Sequence, residues 1–124
     1  MIKDIPDWET AIDEAKKELK IESPESFQQA AIILGRAMTL LLISKNKKYG
    51  KGNILNSSDF GIDPKKGVAL RMNDKFERLK NGLQGTDLGK EGFTETCGDL
   101  IGYNAIELLL ELGWYELPIR EDSI

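Results

Sequence analysis

Apolar residues recur along the chain at the three- and four-residue spacing of amphipathic helices, in four separate segments. This spacing predicts helices over about residues 8–19, 24–48, 64–82 and 91–112. No segment alternates apolar and polar residues with a period of two, which is the pattern of a half-buried β-strand. The pattern therefore predicts an all-α fold, a small four-helix bundle, and the length of 124 residues suits a single domain over residues 1–124.

The predicted helix boundaries are marked by residues that cap or stop helices. Asp7 is the predicted N-cap of the first helix. Ser23-Pro24 and Asp63-Pro64 place proline at the first position of the second and third helices, where its missing N–H breaks no hydrogen bond. Gly82 and Gly113 end the third and fourth helices. The connections around these residues are predicted to be loops, including the segment of residues 51–63.

One apolar face of each long helix is predicted to lie against the core. In the second helix this face is formed by Phe27, Ala31, Leu34, Met38, Leu41 and Leu42. In the third helix it is formed by Ala69, Met72, Phe76 and Leu79. In the fourth helix, Phe93, Cys97, Leu100, Ile101 and Leu108 lie on the face opposite Glu95 and Asp99, and the run AIELLLEL, residues 105–112, is predicted to be largely buried.

The composition argues against several classes of protein. There are 21 acidic and 17 basic residues, giving a net charge of −4, which argues against binding to duplex nucleic acid. The single cysteine allows no internal disulfide, so a reducing, cytoplasmic setting is expected. Because there is no histidine, Ser-His-Asp and Cys-His catalysis are excluded. Any hydrolysis would have to use carboxylates, lysines, tyrosines or a hard metal ion.

Neither a membrane span nor a signal peptide is expected from the apolar segments. The longest, AAIILGRAMTLLLI, covers residues 30–43 and contains Arg36. A membrane span needs about 20 apolar residues, so a buried core helix is the better interpretation. The first ten residues lack the apolar run of a signal peptide, and residues 119–124 are expected to form a flexible tail.

Charged residues form two stripes, one on the third helix and one on the fourth. Arg71, Asp74, Lys75 and Arg78 share one side of the third helix. Glu95 and Asp99 lie on a face of the fourth helix that is otherwise small or apolar. Acids in such a place are costly unless they are paired or bind a cation, and magnesium prefers oxygen ligands. The ordinary alternatives are a solvated helix side with ion pairs, and a close helix crossing at Gly98 and Gly102.

The segment KKYGKGN, residues 47–53, concentrates lysines on a glycine-rich corner. Its ordinary role is to offset the dipole at the C-terminal end of the second helix. The alternative is a phosphate site, because glycines let backbone N–H groups approach an anion closely. Lys48 would then contact phosphate, Tyr49 would stack on a base, and Asn53 would offer its side-chain amide.

Three stretches together resemble a known family: KKYGKGNIL, GVALRMNDKFERLKN and ETCGDLIGYNAI. They are similar to the phage and bacterial "nucleotide modification associated" domain family, which is placed near the MazG-like and dimeric dUTPase enzymes, the all-α nucleoside triphosphate pyrophosphatases. The resemblance covers about residues 29–118. It implies an all-α fold of the MazG-like type, carboxylates that bind Mg²⁺ and nucleotide phosphates, and a dimer or tetramer with sites between subunits.

The acidic motifs of that family are matched only in part. Relatives use an acid-x-x-acid pair on one helix and a second pair on a later helix. Asp74-x-x-Glu77 stands at the first place, and Thr96-x-x-Asp99 stands at the second, with threonine where the enzymes usually have glutamate. Glu95 is the nearest substitute for the missing acid.

We therefore expect a Mg²⁺-dependent nucleoside triphosphate pyrophosphohydrolase-like protein that releases a monophosphate and pyrophosphate. Its catalytic and metal-binding residues would be Asp74, Glu95 and Asp99. Its substrate-binding residues would be Lys48, Tyr49, Asn53, Arg71, Lys75, Arg78, Tyr103 and Asn104. The main alternative is a protein that binds a nucleotide without cleaving it, which Thr96 favours. A purely structural helical bundle is the third possibility.

Overall fold

The structure is a computed structural model that describes residues 3–121, apart from the side chain of Glu91. Those residues are largely helical and contain no strand, so the predicted all-α character is confirmed. The described part contains five α-helices: α1 (Trp8–Leu19), α2 (Phe27–Tyr49), α3 (Gly52–Leu55), α4 (Pro64–Leu83) and α5 (Gly92–Glu111).

The predicted caps of α1 and α4 are confirmed by hydrogen bonds. The backbone N–H of Thr10 donates to the Asp7 carboxylate at 2.8 Å, and that of Lys65 donates to the Asp63 carboxylate at 2.8 Å. Each bond satisfies one of the N–H groups that a helix start leaves without an intrahelical acceptor.

The start of α2 and the loop after it differ from the prediction. α2 begins at Phe27 rather than at Pro24, because the Ser26 hydroxyl accepts the N–H of Gln29 at 3.1 Å and so provides the cap. The predicted loop over residues 51–63 contains the single turn of α3 and a 3₁₀ turn over Asn56–Phe60. Gly61, with φ of +73°, ends that turn in the left-handed region that suits glycine.

The chain divides into two compact units. The first contains the residues up to Lys48 together with those from Ile119, and the second contains Tyr49–Pro118. Part of the predicted flexible tail, residues 122–124, lies outside the described residues. In the described part of that tail, Glu121 forms an ion pair with Lys47 of α2.

In the first unit, α1 is tied to α2 by side-chain bonds at two places. Arg36 Nε lies 2.5 Å from a carboxylate oxygen of Glu18. Near the other end, the buried Ser44 hydroxyl accepts the N–H of Ile5 at 2.8 Å, just before α1 begins. The first bond connects the end of α1 to the middle of α2. The second connects the segment before α1 to the later part of α2. The two helices therefore run antiparallel.

The buried face of α2 is shifted from the one that the apolar pattern predicts, and Leu41 is buried as predicted. The buried residues are Ile33, Ala37, Leu40, Leu41 and Ser44. Of the predicted core face, Phe27, Ala31 and Leu34 are exposed. The two faces lie about a quarter of a turn apart around the helix axis. The prediction failed because α2 is apolar on several sides, so periodicity does not single out the side that packs.

α2 is also long and apolar enough to cross a membrane by length and composition. It spans 23 residues, longer than the apolar run of residues 30–43. The core helix of a globular protein passes the same test, and 28% of the apolar window of α2 is buried. The absence of a membrane span therefore stays a prediction.

The second unit is organised around the antiparallel pair of α4 and α5. Lys65, at the start of α4, forms an ion pair of 2.7 Å with Glu111 at the end of α5. At the other end of the pair, a Cβ on Gly82 would stand 3.4 Å from the ring of Phe93. The buried core residues of this unit are Ile54, Val68 and Tyr115, with Leu55, Met72, Tyr103, Ile106, Leu109 and Leu110 packed against them.

Candidate functional site

The side of α4 that packs in the second unit carries three cationic side chains. Arg71, Lys75 and Arg78 are half-buried, whereas Ala69 and Phe76, which were predicted to face the core, are exposed. The prediction of these two core positions is wrong because the polar stripe, and not only the apolar one, lies against neighbouring elements. The aliphatic stems of lysine and arginine make this possible by packing while their charged ends reach polar partners.

The central contact of the site joins α4 to α5. Lys75 Nζ lies 3.0 Å from Asp99 Oδ2, and the two side chains are only 19% and 23% exposed. A half-buried carboxylate needs a compensating cation, and the Lys75 ammonium supplies it. Of the two ways to compensate an acid on this face, pairing and cation binding, the structure shows pairing for Asp99.

The two arginines are oriented by backbone carbonyl groups. Arg71 Nη2 donates to the carbonyl of Asn53 at 2.8 Å, and Arg78 Nη2 donates to the carbonyl of Leu88 at 3.1 Å. The first bond links α4 to α3 and the second links α4 to the connection before α5. A guanidinium carries five N–H donors, so each arginine can bind an additional acceptor.

The predicted carboxylates occupy different environments. Asp74 is exposed on α4, next in sequence to Lys75, and Glu95 is half-buried on α5, one turn before Asp99. No group of three His, Cys, Asp or Glu side chains that could hold a metal ion occurs within residues 3–121. The structure thus brings Asp99 to a lysine, and the predicted metal set of Asp74, Glu95 and Asp99 stays a prediction.

Thr96, which takes the place of an acid in the second motif of the family that the sequence resembles, is fully buried. Its hydroxyl donates to the carbonyl of Gly92 at 2.8 Å, one turn earlier in the same helix. Such a bond satisfies a buried hydroxyl locally. Position 96 therefore serves the packing of α5, and a carboxylate there would need a partner of its own.

The remaining predicted substrate residues lie on α2, α3 and α5. Lys48 is exposed and belongs to the first unit, while Tyr49 and Asn53 are exposed in the second. Tyr103 packs against the core of the second unit. Asn104 is exposed and donates to the carbonyl of Leu100 at 3.1 Å. Of these residues, Asn53 is linked to the cationic side of α4, through its carbonyl.

One ionisable residue was missed by the sequence analysis. Glu107 on α5 is half-buried, and its Oε1 has no hydrogen-bond partner in the described part of the chain. Burial raises the pKa of this carboxyl, while Lys65 acts in the opposite direction and Asp63 adds to the increase. The sequence signal that could have identified Glu107 is its position inside the apolar run AIELLLEL, residues 105–112.

Comparison of the chain with models of protein families, with curated proteins and with solved structures finds no match. The family suggested by the three quoted stretches therefore rests on those residues alone.

Proposed function

We propose that this protein is a Mg²⁺-dependent nucleoside triphosphate pyrophosphohydrolase-like protein that binds the polyphosphate of its substrate along the cationic side of α4. The observation that supports this most directly is the half-buried pair of Lys75 and Asp99, with Arg71 and Arg78 about one turn away on either side. A lysine between two arginines matches the repeated negative charge of a polyphosphate, and guanidinium groups bind phosphate through paired donors.

The carboxylates on α5 fit a magnesium ion that arrives with the nucleotide. Glu95 and Asp99 are one turn apart, which places their side chains on the same side of the helix. Magnesium commonly takes one or two carboxylates and completes its coordination with substrate phosphates and water. With two carboxylates on α5, this donor set suits an ion that arrives with the nucleotide.

The proposed reaction is attack of water on the α-phosphorus. The bond from that phosphorus to the oxygen bridging it to the β-phosphorus breaks, and the products are a monophosphate and pyrophosphate. Arg71, Lys75 and Arg78 hold the phosphates, and Glu95 accepts the proton of the attacking water. Magnesium, when bound with Glu95 and Asp99, supplies polarisation of the phosphoryl oxygens. Asp74 would join them as a third carboxylate, from its exposed position on α4.

The test is release of pyrophosphate from canonical and base-modified nucleoside triphosphates in the presence of Mg²⁺. We expect turnover by the wild type and loss of at least about 100-fold in Asp99→Asn, which keeps the shape of the side chain but removes its charge. Asp59→Asn, at an exposed carboxylate of the same unit, is the matched control and should retain activity. Absence of pyrophosphate from every substrate refutes the hydrolase.

A second candidate is a protein that binds a nucleotide with the same cationic side of α4 and leaves it intact. The buried, internally bonded Thr96 favours it, because a catalytic carboxylate of the related enzymes is then missing. Isothermal titration calorimetry followed by chromatography of the ligand separates the two candidates. Binding with full recovery of the triphosphate selects the binding protein, and recovery of monophosphate selects the hydrolase.

A further inference from the structure

Residues 84–91 connect α4 to α5, and their backbone is bonded to the end of α4. The N–H of Thr86 donates to the carbonyl of Asn81 at 3.0 Å. Most of this segment, QGTDLGKE, is polar or glycine and is exposed. Leu88 is its one large apolar residue and is half-buried. The connection therefore contains a single side chain that can hold it in place by apolar packing.

The side chain of Leu88 packs against α4 at a position where α4 has no side chain. A Cβ built on Gly82 would lie 2.8 Å from Leu88 Cδ1 and 3.4 Å from Leu88 Cγ. The same point is 3.4 Å from Cδ2 of Phe93, at the start of α5. Leu88 thus occupies a notch formed by Gly82 and Phe93, which we call the Gly82 notch.

The backbone of Leu88 contacts the candidate site. Its carbonyl accepts an Nη2–H of Arg78 at 3.1 Å, and Arg78 is one turn before Gly82 on α4. A local turn fixes the backbone after this carbonyl, because the Asp87 carboxylate accepts the N–H of Gly89 at 2.8 Å and Gly89 has a φ of +68°. Leu88 therefore packs on α4 with its side chain and orients a cationic group of α4 with its backbone.

We propose that Leu88 is a positioning residue: its side chain, packed in the Gly82 notch, holds the carbonyl that orients Arg78 for the polyphosphate. The inference rests on the proposed function, in which Arg78 binds phosphate. An arginine side chain has many rotamers, and restricting them before the ligand arrives lowers the entropic cost of binding. Because a guanidinium has five N–H donors, the bond to the Leu88 carbonyl is compatible with bonds from the same group to phosphate.

Arg71, at the other end of the cationic side, is oriented by a different element. It precedes Arg78 by seven residues, so the two arginines lie on the same side of α4, about 10 Å apart along its axis. Arg71 donates to the carbonyl of Asn53 on α3 at 2.8 Å, and the Gly82 notch has no part in that bond. Substitution of Leu88 should therefore disturb Arg78 and leave Arg71 oriented, so that polyphosphate binding is weakened and not abolished.

The experiment is calorimetric titration of the full chain with inorganic tripolyphosphate in excess Mg²⁺. We expect Leu88→Ala to weaken binding about three- to tenfold, because Arg78 loses its fixed orientation. Leu88→Met, which fills a similar volume, should bind within about twofold of the wild type. Leu83→Ala is the matched control, because Leu83 is the last residue of α4, is 71% exposed and undergoes the same truncation outside the Gly82 notch. It should bind as the wild type does.

A double-mutant cycle separates the positioning of Arg78 from a general loss of structure. Arg78→Met removes the guanidinium, and in that background Leu88→Ala should change the dissociation constant by less than about twofold. A general loss of structure would weaken binding equally in both backgrounds. Thermal unfolding shows whether each variant is folded at the temperature of the titration. If Leu88→Ala is not, Gly82→Ala replaces it in the cycle, because the added Cβ displaces Leu88 from the notch.

Three results would overturn the proposal. The first is binding of tripolyphosphate by Leu88→Ala as tightly as by the wild type. The second is an equal loss of affinity with and without the Arg78 guanidinium. Both of these leave the proposed function intact. The third is a wild type that does not bind tripolyphosphate, which also removes the polyphosphate site. By contrast, a wild type that binds tripolyphosphate and shows the expected cycle, yet releases no pyrophosphate from any triphosphate, refutes the hydrolase and supports the role of Leu88.

Discussion

The ammonium nitrogen of Lys75 lies 3.0 Å from a carboxylate oxygen of Asp99, across the contact between α4 and α5. Both side chains are mostly shielded from water, so their attraction is screened less than that of an ion pair on the surface. The pair therefore links the charged stripe of α4, whose ordinary interpretation from sequence is a solvated helix side, to the acidic face of α5. It is also where a phosphate or a magnesium ion would compete for one of the two partners.

We expect Asp99→Asn to destabilise the ligand-free protein by about 1–2 kcal/mol, because Lys75 then lacks its counter-charge in a half-buried place. The double variant Lys75→Met with Asp99→Asn should recover part of that loss, since both charges are gone. Urea unfolding of the wild type, the two single variants and the double variant gives the coupling energy. A coupling of about 1 kcal/mol is expected.

The exposed pair of Lys80 and Glu77, 3.0 Å apart on the same helix, is the matched control for that measurement. Its coupling should be about 0.5 kcal/mol or less, because water and salt screen it. Equal coupling energies for the two pairs would contradict the inference that burial strengthens the pair of Lys75 and Asp99.

Gly102→Ala should stabilise the protein while testing whether a ligand approaches α5. A Cβ built on Gly102 meets no atom within 4 Å, so alanine fits without a clash. Alanine in a helix interior is favoured over glycine by about 1 kcal/mol, which corresponds to a rise in Tm of a few degrees. Thermal unfolding measures the gain, and a fall in Tm would show that position 102 is tighter than the structure indicates.

Gly82→Ala is the paired comparison, with the opposite sign. A Cβ there would come within 2.8 Å of Leu88 Cδ1 and 3.4 Å of Phe93 Cδ2. The steric cost offsets the gain in helix propensity, so we expect no stabilisation or a loss of stability in Gly82→Ala.

Nucleotide binding by Gly102→Ala is a further measurement. If this substitution weakens binding, the glycine at position 102 gives a ligand access to α5, since no atom of the described chain lies where the Cβ would be.

Helix boundaries were predictable from the sequence because they depend on short-range bonds. Asp7 and Asp63 each cap a helix by accepting an N–H from a residue two or three positions later, so a few adjacent residues contain the whole signal. The same local chemistry explains the error at the start of α2, where Ser26 and not Ser23 provides the cap. A single segment offered two suitable serines, and the pattern did not distinguish them.

The packed faces of the helices were harder to predict, because they depend on residues far apart in sequence. Phe76 is exposed and Lys75 is half-buried, since Asp99 on the facing helix supplies a counter-charge that periodicity on α4 does not reveal. On α2, an exposed Phe27 and a buried Ser44 reverse the simple rule, and the bond of Ser44 to Ile5 is again long-range. The candidate site shares this difficulty, because Asp99 and Lys75 were both identified from the sequence, as a metal ligand and a phosphate-binding residue, but not as partners of each other.

Asp7, the N-cap of α1, gives one prediction about the effect of substitutions on stability and one about the pH dependence of stability. Asp7→Ala should cost about 1 kcal/mol of stability, and Asp7→Asn should cost much less, because asparagine keeps the cap bond to Thr10. The bond from the Thr10 backbone holds the pKa of the Asp7 carboxyl below its usual 3.8. This stabilisation is therefore present above about pH 3.8 and is lost as the pH falls through the lowered pKa. Urea unfolding at pH 7 and pH 3 checks both statements, and an equal cost of the two substitutions at pH 7 would contradict the cap.

Glu107→Gln should reduce the loss of folding stability that accompanies a rise in pH. Burial raises the pKa of Glu107 above its usual 4.5, so between the two values the folded chain binds more protons than the unfolded chain. The contribution of Glu107 to stability is then most favourable below about pH 4.5 and falls as the pH rises through the raised pKa, a loss that glutamine removes. Thermal unfolding from pH 4 to pH 8 should show the advantage of Glu107→Gln growing with pH and then levelling. Glu22→Gln removes one negative charge at an exposed carboxylate and is the control. If it raises stability as much as Glu107→Gln does, the gain comes from the change in net charge and not from the burial of Glu107.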